Sequence, residues 1–249
     1  MKFTKQFTSL LAVSVLSIAG MTAPIAAQAE VSADLSISSM YLWRGLDISD
    51  GKPVLSSTVQ YDHPSGFYVG TWFSNEGTPA YSTDFAADTT GDGTNDTSGT
   101  IDLAGTNGTS YELDVYAGYN GSVGDFGYSL GYYVYLYPEA AGSIGDSDIK
   151  EYMLGASYKD FSLTAYINAE SDDFDSYKYY SFGYSFDKIS LHYGVTTVDK
   201  GDGYNDISVS YAFNDNLTWT ISKASGDAIA DNSPQSDPLI MVSYSVPFK

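Results

Sequence analysis

The chain contains a single arginine, Arg44. A guanidinium is charged at any ordinary pH and presents a planar fork of donors that a carboxylate can accept. Candidate carboxylates are Glu112 and Asp114, inside a run of alternating residues, and Glu151 and Asp206, each at the start of one. By parity they fall on the less apolar face of their runs, as do Arg44, Tyr116 and His192. If those faces enclose a lumen, each charge must be hydrated or paired, and an arginine–carboxylate network follows. Two roles stay open for it. It is a strut that sets the cross-section, or a constriction whose surplus negative charge favours cations.

Catalytic chemistry is poorly supplied. The absence of cysteine excludes thiolate nucleophiles, disulfides and Cys-ligated metal. The two histidines are His63, beside Pro64 in a turn, and His192 in an alternating run. No nucleophile motif surrounds either, so we expect no enzyme and no cofactor. Asp88, Asp92 and Asp96 place oxygen ligands at alternating spacing around glycine, as calcium loops do. However, Thr90 stands where Asp or Asn is expected and no Glu closes the loop, so these are weak ligands in a solvated tract. With 31 acidic residues against 11 basic ones, the chain has no basic patch for nucleic acid.

The elements that must position these residues are strands. Odd positions from Val31 to Trp43 are largely apolar and even ones largely polar, the period of a strand with one face in an apolar medium. The pattern returns in Leu55–Tyr61, Phe67–Phe73, Tyr111–Tyr119, Phe126–Leu136, Tyr152–Tyr158, Phe161–Ile167, Tyr180–Phe186, Ile189–Val195, Ile207–Phe213, Leu217–Ile221 and Ile240–Phe248. That predicts about twelve strands of bilayer-crossing length. Connectors alternate. His63–Gly66, Asn120–Asp125, Lys159–Asp160, Asp187–Lys188 and Asn214–Asn216 are short, whereas Asn75–Thr109 is very long. Aromatics such as Tyr61, Phe67, Phe126, Tyr158, Phe161, Phe186, Phe213 and Phe248 gather at the short turns, where a ring can lie at a headgroup boundary. The expectation is an all-β, antiparallel, up-and-down transmembrane barrel with short periplasmic turns and longer external loops.

Ahead of it, Lys2 and Lys5, an apolar stretch and Ala27-Gln28-Ala29 form a secretory signal. Cleavage after Ala29 leaves 30–249 as the barrel. Removing those two lysines leaves nine cations against 31 acids, a charge of −22.

Several motifs resemble one family. Ser39-Met40-Tyr41-Leu42-Trp43-Arg44-Gly45, Lys52-Pro53 and the run Gly66 to Asn75 are similar to the start of the TorF-type porin family of proteobacteria. Glu112 to Tyr119, Tyr135-Leu136-Tyr137-Pro138, Glu151 with Leu154 to Tyr158, and His192-Tyr193-Gly194 resemble its later segments. The resemblance implies an outer-membrane barrel of the porin kind and implies no substrate. The alternating C-terminus up to Phe248 also resembles the end of bacterial outer-membrane proteins, with Lys249 as a departure.

We therefore expect a passive channel in a Gram-negative outer membrane for small hydrophilic solutes, cations among them. The alternative is a non-conducting barrel with a structural, adhesive or lipopolysaccharide-contacting role. Expected partners are outer-membrane lipid, lipopolysaccharide, the barrel-assembly machinery and small solutes, but no nucleic acid. Lumen-lining candidates are Arg44, Glu112, Asp114, Tyr116, Glu151, His192 and Asp206.

Overall fold

A computed structural model describes residues 29–75, 82–87, 97–102, 111–137, 149–169, 177–199, 202–229 and 233–248, with 82–87 and 97–102 described by backbone alone. The expected leader, most of the 75–109 tract and its candidate ligands Asp88, Asp92 and Asp96 lie outside the described residues.

The strands among them are β1 (Glu30–Ser38), β2 (Leu42–Trp43), β3 (Leu46–Asp47), β4 (Val54–Asp62), β5 (Phe67–Asn75), β6 (Ser82–Ala87), β7 (Thr97–Asp102) and β8 (Tyr111–Val123). They continue with β9 (Phe126–Leu136), β10 (Ile149–Tyr158), β11 (Phe161–Asn168), β12 (Tyr177–Phe186), β13 (Ile189–Val198), β14 (Tyr204–Ala212), β15 (Leu217–Ser225) and β16 (Leu239–Phe248). Twelve of these described strands form one closed antiparallel barrel, while β2–β3 and β6–β7 are separate two-stranded hairpins. Closure is made by β1, which pairs with β4 from Glu30↔Asp62 to Ser38↔Val54 and with β16 from Ala33↔Phe248 to Ser38↔Ser243. A closed sheet has no edge, so every strand finds its ladder partners inside the chain.

Burial is inverted relative to a water-soluble protein. Along β15, Thr218, Thr220 and Ser222 are buried, whereas Trp219 and Ile221 are exposed at 52% and 55%. The same holds for Val59, Leu163 and Val209 on the outside and for Ser36, Thr58 and Ser208 inside. Such an exterior is stable only in an apolar surrounding. Phe67, Phe126, Phe161, Phe186, Phe213 and Phe248 face outward at the short-turn end.

Two halves of the interior differ. Strands β5, β8, β9, β11 and β12 contribute the packed tyrosines Tyr68, Tyr116, Tyr133, Tyr135, Tyr166 and Tyr179, with Met153 from β10. The facing half, β4, β1, β16, β15 and β14, contributes mostly hydroxyls: Ser36, Ser56, Ser208, Ser222 and Ser243. Large rings therefore fill one wall and leave room beside the other.

Two expected boundaries are corrected. The first strand does not run from Val31 to Trp43. It ends at Ser38, and the chain turns inward from residue 39 to Ser49 before Asp50 to Pro53 return to the surface. Tyr41 and Leu42 are 2% and 3% exposed, so Tyr41 is not on the lipid face as the alternation predicted. Likewise, the Asn120–Asp125 connector shrinks to Gly124-Asp125. β8 continues to Val123 because Gly121 and Ser122 still pair with Tyr128 and Gly127.

Candidate functional site

Segment 39–53 is built from turn chemistry. β2 and β3 pair Leu42 with Asp47 and Trp43 with Leu46, leaving a two-residue turn. Its central residues, Arg44 and Gly45, have φ of 47° and 83°, the positive pair that a type I′ turn requires. Glycine takes that conformation freely. Arginine pays for it, and such outliers persist only where the surroundings hold them. A side chain at Gly45 would also run into Asp206 of β14. Beyond the turn, the Asp47 carboxylate accepts from Ser49 N at 2.9 Å, Ser49 Oγ at 2.8 Å and Gly51 N at 2.6 Å. Gln235, on the connection between β15 and β16, pins the segment from outside. Its Oε1 accepts from Asp47 N at 2.8 Å and its Nε2 donates to Asp47 O at 2.7 Å.

The hairpin tip crosses the lumen. Nη2 of Arg44 donates to Oε1 and Oε2 of Glu151 on β10 at 2.9 and 2.7 Å. Tyr135 OH donates to the same carboxylate at 2.7 Å. The guanidinium carbon lies 4.4 Å from the Trp43 ring centre, 4.6 Å from Tyr179, 4.9 Å from Tyr166 and 5.6 Å from Tyr177. Burial works most strongly against the Arg44 charge, but the Glu151 carboxylate together with Tyr177 and Tyr135 outweighs it and the pKa is raised, so the group is a permanent cation.

Beside this pair, Tyr41 OH donates to Glu112 Oε2 at 2.8 Å, and Tyr137 OH donates to Oε1 at 3.3 Å. Burial, then the Glu112 and Asp114 carboxylates, push the Tyr41 phenol well above its ordinary value, so it stays a neutral donor. Tyr41 also leans on Trp72, with ring centres 5.4 Å apart. A third group joins β12, β13 and β14. Tyr179 OH donates to Asp206 Oδ1 at 3.0 Å, and His192 Nε2 lies 2.9 Å from Asp206 Oδ2 and 2.8 Å from Tyr179 OH.

All seven lumen candidates sit on the interior: Arg44, Glu112, Asp114, Tyr116, Glu151, His192 and Asp206. Arg44 joins Glu151 directly, whereas Glu112 and Asp206 bind tyrosines instead. Parity predicts Arg44 on a strand. It is on the tip of a hairpin inside the barrel. Around it lies a cavity, partly open to solvent, bordered by Asp34, Asp114, Tyr116, Asp206 and His192 and by residues 41–45. Sequence reasoning missed Tyr41, Trp43, Trp72, Tyr177, Tyr179 and Gln235. Tyr177 and Tyr179 could have been found, since they continue the inward parity of Ser181; the others depend on how segment 39–53 folds.

His63 Nδ1 pairs with Ser65 Oγ at 2.7 Å and accepts from Ser65 N at 3.2 Å, within the β4–β5 turn. Both contacts are local turn bonds.

A model of the family described as "Bacterial protein of unknown function (Gcw_chp)" matches residues 22–237. The chain belongs to this family. No curated protein matches it. Among solved structures, this Gcw_chp chain is similar to a KdgM porin at 10% identity, covering 88% of this chain and 98% of that one with a TM-score of 0.47. A structure described as "Unveiling the Mechanism Behind the in-meso Crystallization of Membrane Proteins" matches at 8% identity, 88% and 83% coverage and a TM-score of 0.50. Outer membrane phospholipase A from Escherichia coli matches at 10% identity, 86% and 95% coverage and 0.43. At these identities the likeness concerns the barrel fold alone. In the Gcw_chp chain, both neighbours that His192 Nε2 meets are Asp206 and Tyr179, and among the described residues no serine hydroxyl is hydrogen-bonded to that ring.

Proposed function

We propose that this chain is an outer-membrane channel for small hydrophilic solutes that favours cations and performs no catalysis. One observation carries the reading: the charge balance of the lumen. Arg44 neutralises Glu151, while Glu112, Asp114, Asp206 and Asp34 are further acids on the interior. A narrow passage ringed by surplus carboxylates concentrates cations and repels anions. The motif resemblance to TorF-type porins supports the same reading, as does an export leader ahead of a barrel with an apolar exterior. Lipid and lipopolysaccharide are then its surroundings, and the barrel-assembly machinery its route in.

The test is a planar-bilayer recording of the refolded mature protein across a potassium chloride gradient. A reversal potential on the potassium side is expected. Anion preference, or no conductance at all, would sink the proposal.

A second reading, a non-conducting barrel with a structural, adhesive or lipopolysaccharide-contacting role, is favoured by one feature. Segment 39–53 is held at Glu151, Glu112 and Gln235 together, which narrows the mouth. Absence of conductance in both wild type and a variant lacking this segment would support that reading.

A further inference from the structure

The surroundings of Arg44 exceed what a strut needs. A strut requires a carboxylate. Here the carboxylate lies at the back of an aromatic box: Tyr166 on β11 and Tyr177 and Tyr179 on β12 line the guanidinium, and Tyr135 on β9 fixes Glu151. Stacked π faces beside a carboxylate form a receptor for a desolvated planar or alkylated cation. All five of these residues belong to the barrel wall. Tyr166 and Tyr179 support each other at a ring separation of 6.3 Å, and Tyr179 is also tied to Asp206. The wall portion is thus complete before segment 39–53 arrives, and the segment adds only the cation and Trp43.

The cation is delivered at a backbone cost. Arg44 occupies a left-handed conformation that L residues rarely adopt. Its hairpin is only two residues long on each side. Its remaining anchors, Tyr41 on Glu112 and Asp47 on Gln235, are separate from the box.

We infer that Glu151, Tyr135, Tyr166, Tyr177 and Tyr179 form a solute site for guanidinium and alkylammonium groups, occupied in cis by Arg44 and exchanged for solute when the hairpin withdraws. This deepens the channel reading and rests on it for solute access to the lumen. The solute competes with an internal ligand of the same chemistry, so the apparent affinity falls by the fraction of time the box is vacated. A solute that takes the box also removes the hairpin's main hold on the wall, coupling recognition to widening of the passage.

The test is calorimetric titration of the refolded mature barrel in detergent with Nα-acetylarginine amide (arginine amide below), whose one charge is the guanidinium, and with Nα-acetylcitrulline amide (citrulline amide below) as the neutral isostere. Arg44→Ala vacates the box. Gln235→Ala loosens the hairpin at its far end and leaves the box intact. We expect arginine amide to bind about tenfold more tightly to Arg44→Ala than to wild type, with a smaller gain in Gln235→Ala. Binding is lost in Arg44→Ala/Glu151→Gln, and citrulline amide does not bind. Equal affinity in wild type and both variants, binding that survives Glu151→Gln, or equal binding of citrulline amide overturns the inference. If Arg44→Ala does not fold, Gln235→Ala decides alone. Conductance of the same samples separates the two claims. Arginine amide binding without conductance supports the site and overturns the channel, whereas conductance with no gain in either variant overturns the site and leaves the channel.

Discussion

Arg44 and Glu151 stand 107 residues apart in sequence and meet inside the barrel, one guanidinium nitrogen reaching both carboxylate oxygens at 2.9 and 2.7 Å. Side-chain exposures of 6% and 0% leave neither charge to water. The pair is the contact through which an inter-strand segment is held against the opposite wall.

Breaking one side of a buried pair strands the other charge. Glu151→Gln is expected to destabilise the barrel by about 3–5 kcal/mol, and Arg44→Met/Glu151→Leu by less than either single change. Urea unfolding from lipid vesicles, followed by loss of the heat-modifiable band, checks both. A double variant as unstable as the sum of the singles would show that the two side chains act independently.

Gly45 lets the hairpin tip seat closely against Asp206. Alanine there meets the left-handed backbone penalty, about 1–2 kcal/mol, and also collides with Asp206. Gly45→Ala is therefore expected to release the hairpin. Trypsin applied to intact vesicles should cleave after Arg44 in this variant and leave that bond whole in the wild type, where Arg44 is 7% exposed.

On the proposed channel function, ion preference would trace to the acids lining the cavity. Asp114→Asn removes one such charge while nearly preserving size. Its reversal potential in a salt gradient should move toward zero, and the shift should shrink at high ionic strength as the Debye length falls. An unmoved potential would relocate selectivity to the external loops.

Tyr41 supplies a pH dependence. Its phenol is held above its ordinary value by burial and by Glu112 and Asp114. The folded state therefore keeps the proton more tightly than the unfolded chain, whose tyrosine titrates near about 10. The hydrogen bond to Glu112 is fully present below that pH and is lost as pH rises through the folded value. Unfolding midpoints should be flat up to about pH 10 and fall above it. Tyr41→Phe should begin lower, by about 1.5–3 kcal/mol for a bond to a charged acceptor, and fall less steeply.

The two faces of one strand give a fifth test. Val209 is 45% exposed on the outside of β14, and its neighbour Ser208 is buried inside. Val209→Arg should cost about 2–4 kcal/mol near the bilayer midplane, and Ser208→Ala about 1 kcal/mol or less. Vesicle unfolding measures both. A cheap Val209→Arg would mean that this face does not meet hydrocarbon.

The strands were legible because each separates two solvents. Ile207 and Val209 alternating with Ser208 and Ser210 can satisfy only a wall with hydrocarbon on one side and a polar interior on the other. The same rule announced the turns at Lys159-Asp160 and Asp187-Lys188, where alternation stops for two residues. It failed at Tyr41 and Trp43, which continue the apolar parity of β1 yet belong to the inward segment. Parity describes a residue only while the chain remains in the wall. The departure after Ser38 depends on the positive φ of Arg44 and Gly45, on the Asp47 turn bonds and on space beside Ser36, Ser56 and Ser222.

Sequence alone therefore determined the barrel, its inward charges and their acidic surplus, since these follow from a local period of two and from composition. It named four carboxylates as possible partners of Arg44 and could not choose among them. Only tertiary structure decided for Glu151. Inward parity sets which face a side chain takes, while its azimuth around the lumen and its height along the axis come from barrel closure, which sets β10 across from the hairpin that joins β1 to β4. The tyrosine box has the same origin. Its members come from β9, β11 and β12, and no spacing along the chain marks them as neighbours until the sheet has closed.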